Sequence, residues 1–86
     1  MSARGRFFVT PHAVRQYQRR VRPELGYEDA RAELIAISER ARYVRPARDG
    51  CEVWRTPRPE RLRLIVGPGK GPLPALITVE TRCDAD

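Results

Sequence analysis

Thr10-Pro11-His12-Ala13-Val14-Arg15-Gln16-Tyr17-Gln18-Arg19-Arg20 reads as a short helix with a clear start signal. Thr10 suits the N-cap, because its hydroxyl can accept from the free N–H groups of the first turn. Pro11 falls at the first helical position, where its missing N–H costs nothing. At 3.6 residues per turn Val14, Tyr17 and Val21 form one stripe with Ala13 beside them. His12, Arg15, Arg19 and Arg22 form another. One side of this helix is built to pack. The other is cationic and carries the single histidine of the chain.

Working outward, Phe7-Phe8-Val9 is a short apolar run that serves either as a strand or as a staple against the helix. Residues 1–6 read as a basic arm. Pro23 should stop the first helix near Arg22, and Pro23-Glu24-Leu25-Gly26 supplies the turn. A second helix is expected from about Tyr27 to Tyr43. Its stripe is Ala30, Leu34, Ile37 and Ala41, with Glu28 and Asp29 in the first turn and Arg40 and Arg42 in the last. Arg45 to Gly50 is a loop whose Asp49-Gly50 pair signals a turn into Glu52-Val53-Trp54-Arg55, a strand. Thr56-Pro57-Arg58-Pro59-Glu60 breaks that strand, since two prolines in three residues do not fit a sheet. Arg61 to Val66 is a second strand. Gly67 to Pro74 is a glycine- and proline-rich connection. Ala75 to Arg82 is a third strand, with Leu76, Thr78 and Glu80 on one face and Ile77, Val79 and Thr81 on the other. Asp84-Ala85-Asp86 is a tail.

Helices segregated from strands joined by short links predict one α+β domain. Two N-terminal helices should cover one face of a small antiparallel sheet of three to four strands. Eighty-six residues leave no room for a second core. No apolar run reaches the length of a membrane span, and residues 1–6 lack the apolar core of a signal peptide, so a cytoplasmic protein is expected. In that compartment Cys51 and Cys83 are expected as free thiols.

Charge carries the functional signal. The formal net charge is +6, and every basic residue except Lys70 is an arginine. Arginine binds phosphate bidentately and stacks on bases. Residues 1–23 hold six arginines and no acid, whereas residues 24–44 hold five acids and three arginines. A base-composition bias in the genome would not separate the signs in this way. A basic face centred on the first helix, including Arg20, is expected to meet RNA or another polyanion.

The chemistry is bounded by what is missing. Gly67-Pro68-Gly69-Lys70-Gly71-Pro72 lacks Walker spacing and opens no helix, so it reads as a hairpin loop that can present Lys70 to a phosphate. One histidine and two isolated cysteines make no metal set, and no cofactor motif or nucleophile elbow is present. What remains is a metal-free phosphodiester site. His12 can act as acid or base there. Arg15, Arg19, Arg55 and Arg63 can hold charge on phosphorus, and Thr78 can position a phosphate oxygen. Tyr17 and Trp54 read as core residues first, although Trp54 has the chemistry to stack on a base.

The order His-Ala-x-x-Arg-x-x-x-Arg, a second helix, then Glu52-Val53-Trp54-Arg55, Arg63-Leu64-Ile65-Val66 and Leu76-Ile77-Thr78-Val79 resembles the barnase–EndoU–colicin–RelE superfamily. Within it the chain is similar to small toxin-like proteins that begin with an HAxxR helix. The resemblance implies a RelE-like fold of helices on an antiparallel sheet and a metal-independent RNA-cleaving face. His12 would match the helix histidine, Arg15 or Arg19 the helix arginine, Arg63 a strand cation and Thr78 the last-strand threonine. Active members use several catalytic side chains, and this chain offers one histidine and one lysine. The alternative is a non-catalytic regulator of the phage type that holds nucleic acid or an acidic host protein through the same basic face. An antitoxin is the further partner that a toxin would imply.

Overall fold

The computed structural model describes residues 7–58 and 60–81. The elements run β1 (Phe8–Val9), α1 (Pro11–Arg20), α2 (Tyr27–Ser38), β2 (Arg42–Pro46), a 3-10 turn (Arg48–Gly50), β3 (Glu52–Arg55), β4 (Arg63–Gly67) and β5 (Ala75–Glu80). The architecture is the expected α+β arrangement of two N-terminal helices on a sheet. The sheet has five strands rather than three or four, in the order β1-β5-β4-β3-β2. It is mixed rather than wholly antiparallel, because β1 lies parallel to β5 with Phe8 opposite Ala75 and Val9 opposite Leu76.

Thr10 sets the start of α1. Its hydroxyl accepts from the Ala13 N–H at 3.2 Å and donates to the Leu76 carbonyl at 2.9 Å. One side chain thus caps the helix and ties it to β5. Val21 closes α1, its N–H donating to the Tyr17 carbonyl, and Pro23 follows. Along the outer edge of β5, β1 ends after Val9. Beyond that point the Val79 N–H donates to Gln16 Oε1 at 2.8 Å, so a helix side chain completes the strand's hydrogen bonding.

The second helix ends at Ser38, not near Tyr43. Ser38 Oγ donates back to the Ile35 carbonyl, and the Arg40 and Ala41 N–H groups close a tight turn onto Ile37 and Ser38. Arg40 and Arg42 therefore do not sit in a last helical turn. The chain emerges as β2, which pairs with β3 across a bulge near Val44. Tyr43 and Val44 favour extended backbone, and pairing with β3 decides the matter. The turn into β3 has Asp49 and Gly50 at φ 59° and 76°, the left-handed conformation that this pair tolerates best. The β3–β4 connection is closed by buried Thr56, whose Oγ1 accepts from the Leu62 N–H at 2.7 Å.

A bulge opposite Ile65/Val66 changes the facing of β5. Leu76 and Val79 both point into the core, with Leu64 and Val66 from β4 and with Val14, Tyr17 and Leu34 from the helices. Ile77, Thr78 and Glu80 point to the opposite face. The expected simple alternation, with Leu76 and Thr78 on one face, is corrected by that one extra residue. Trp54 also faces the helices, edge-on to Phe7 at 5.1 Å and to Tyr43 at 5.8 Å between ring centroids, which gives it the packing role. Residues 1–6, Pro59, Arg82, Cys83 and the tail 84–86 lie outside the described residues. The basic arm and any pairing of the cysteines lie there too. No described helix is long and apolar enough to cross a membrane.

Tyr17 and Arg22 show how the helices are joined. The buried Tyr17 hydroxyl donates to Glu33 Oε1, and Arg22 Nη1 donates to both Glu33 oxygens at 2.9 and 3.1 Å. Arg22 Nε donates to Glu24 at 2.6 Å. Arg22 is thus held in ion pairs and is no part of a free cationic stripe. Burial, reinforced by the bond to Glu33, pushes the Tyr17 phenol above its ordinary value. The folded state holds that proton more tightly than the unfolded chain does. The resulting stability is fully present below pH about 10, where an unfolded tyrosine ionises, and is lost as pH rises through the folded value. Alkaline unfolding of Tyr17→Phe should show a shallower pH slope above pH about 10 than the wild type. Equal slopes would mean that the phenol is not perturbed.

Candidate nucleic-acid interface

With the helices on one face of the sheet, the strands present their alternate residues on the other. Register then decides which charges meet. Arg42 lies opposite Arg55, Arg55 opposite Arg63, and Arg63 opposite Glu80. Three arginines therefore stand side by side on three adjacent strands. Neighbouring strands are roughly 5 Å apart, so the row spans about 10 Å between its end Cα atoms. Among the described residues a single carboxylate answers it: Arg63 Nη1 contacts Glu80 Oε1 at 3.2 Å. Arg63 Nε is buried and has no acceptor among the described residues. Arg42 and Arg55 are exposed.

The next row along the strands is Thr78, Ile65, Val53 and Arg45. Thr78 is half-buried, and Val53 is buried although it lies outside the core under the helices. The third row begins with Phe8 on β1. Its register partner Ala75 lies opposite Gly67. Gly67 leaves no room for a side chain, because a Cβ there would meet Ile77 Cδ1 at 2.8 Å and Cys51 Sγ at 3.0 Å. The open face thus grades from an arginine row at one end of the strands, through a mixed middle, to an aromatic ring at the other end.

The structure divides the residues singled out from the sequence into two groups. His12, Arg15, Arg19 and Arg20 are all exposed on α1, in the layer of the helices. Arg55, Arg63 and Thr78 share the opposite face of the sheet. Lys70 is exposed in the β4–β5 connection, which lines a cavity together with Phe8. The sheet separates His12 from Arg63 and Thr78. Sequence reading missed Arg42, Arg45 and Phe8 as members of the face. The signal for the two arginines was Tyr43-Val44, a β-favouring pair at the point where the helical stripe was extended too far.

Chemically, the arginine row offers guanidinium forks at the spacing of adjacent strands to a ligand with several anionic oxygens. Among the described residues no three His, Cys, Asp or Glu side chains converge as a metal cluster. Comparison with protein-family models, curated proteins and solved structures finds no match to this chain.

Proposed function

We propose that this protein binds RNA through the open face of its sheet, with the phosphate backbone lying along Arg42, Arg55 and Arg63. The observation that carries this reading is their register. Like charges directly opposite on neighbouring strands oppose folding, and among the described residues only Arg63 of the row has a carboxylate partner. A polyanion offsets that repulsion. The arginine-rich composition and the likeness of its motifs to the barnase–EndoU–colicin–RelE superfamily favour RNA as the polyanion. Binding is favoured over turnover because His12, the acid–base candidate singled out from the sequence, lies on α1, in the layer of the helices, while the arginine row lies on the opposite face of the sheet.

Metal-independent cleavage of the toxin type is the second reading. It is favoured by Glu80, a potential proton acceptor placed beside Arg63 on the same face as Thr78.

Both readings are tested with labelled single-stranded RNA in excess chelator across a salt series. Binding should weaken with a log–log slope near −0.7 for each phosphate held. Arg42→Gln should reduce the slope by about one contact while leaving the fold intact. Absence of binding at low salt, or a slope unchanged in Arg42→Gln, overturns the assignment. New RNA ends that vanish in Glu80→Gln or His12→Ala would move the reading to cleavage.

A further inference from the structure

An apolar cavity of about 680 Å³ opens at the end of the sheet away from the arginine row. Phe8 forms one wall, and the connection carrying Pro68, Gly69, Lys70 and Leu73 curls over the other. Phe8 is 56 % exposed, the most exposed large apolar side chain among the described residues. It cannot turn into the core, because its neighbour Val9 takes the inward position opposite Leu76. The connection is tightly closed: a Cβ at Gly69 would lie 2.7 Å from the Leu73 carbonyl oxygen. Pro68, Pro72 and Leu73 make its wall apolar. The single lysine of the chain, Lys70, sits on the rim.

An exposed ring in a concave apolar wall with one cation at its mouth matches a planar aromatic group attached to an anion. The cavity shares its face with the arginine row, and four residues along β4, roughly 13 Å, separate the two. We infer that Phe8 and the Pro68–Leu73 connection hold one unpaired nucleobase of the RNA, stacked on the Phe8 ring, with Lys70 against its phosphate. This inference rests on the RNA reading above and adds a subsite to it. Bases splayed from a single strand stack on aromatic side chains whatever their identity. The pocket would therefore select single-stranded RNA over duplex.

The test uses an eight-nucleotide RNA with 2-aminopurine at one position, beside the same RNA with an abasic site there. Wild-type protein should change the 2-aminopurine fluorescence and bind the abasic RNA roughly 5- to 150-fold more weakly. Phe8→Ala should bind both RNAs equally and leave the fluorescence unchanged. Phe8→Leu, which keeps apolar bulk without the ring, should do the same while preserving the thermal transition. Retention of the fluorescence change and of the preference in both variants overturns the pocket, and leaves the arginine row standing if the salt dependence persists. Absence of salt-dependent RNA binding in the wild type overturns the row and the pocket together.

Discussion

Arg55→Glu should abolish RNA binding and at the same time make the protein more stable. Arg55 is the middle member of the row, directly opposite Arg42 on one side and Arg63 on the other. A carboxylate there converts two like-charge pairs into two opposite-charge pairs. Cross-strand pairs of this kind contribute about 0.2–1 kcal/mol each, so urea unfolding should shift to higher midpoint with an unchanged slope. Affinity for RNA should fall by roughly 100-fold or more, because the variant removes a phosphate contact and places a negative charge in its path. The two effects have opposite signs, and that separates function from fold. A row that served only to keep the surface charged would give the gain in stability with no loss of binding. A destabilised Arg55→Glu would show that the three side chains do not repel one another in the folded protein.

The largest loss of stability is expected for Leu64→Ala. Leu64 is fully buried between Trp54 and Val79 in the sheet register, under the two helices. Truncation removes its apolar burial and leaves a cavity that a sheet residue with two fixed neighbours cannot close, at a cost of about 2–5 kcal/mol. A domain of this size has about 4–13 kcal/mol of total stability, so the variant should melt far below the wild type or fail to fold at ordinary temperature. Ile65→Ala, one residue along and on the open face, should cost only about 1 kcal/mol. Similar losses at both positions would mean that the helices do not cover the face assigned to them.

Much of the local structure was legible in the residues. Thr10-Pro11 announced the start of α1 because cap and first turn are neighbours in sequence. The stripe of Ala13, Val14 and Tyr17 faces the core for the same local reason, and Asp49-Gly50 marked the turn that delivers β3. The end of α2 was not legible. Ala41 is buried, as a helical stripe would have it, yet it is buried at a turn, and the residues after it are drawn into a strand by β3. Of the site, Arg55, Arg63 and Thr78 were identified by residue type. Their separation from His12 depended on which face the helices cover, and helix periodicity says nothing about the far side of a sheet.

The sequence by itself determined α1, the turns, the α+β class and the excess of arginine, because caps, turn residues and periodicity act within a few positions of one another. Only the tertiary structure decided that Phe8–Val9 joins β5 as a fifth strand. It also decided that a bulge puts Thr78 on the open face, and that Arg42, Arg55 and Arg63 stand in one row. Those facts are matters of register between strands that are distant in the chain. A shift of one residue would turn each side chain to the other face, so burial of Leu64, Val66, Leu76 and Val79 under the helices is what holds the arginines together on the side left open.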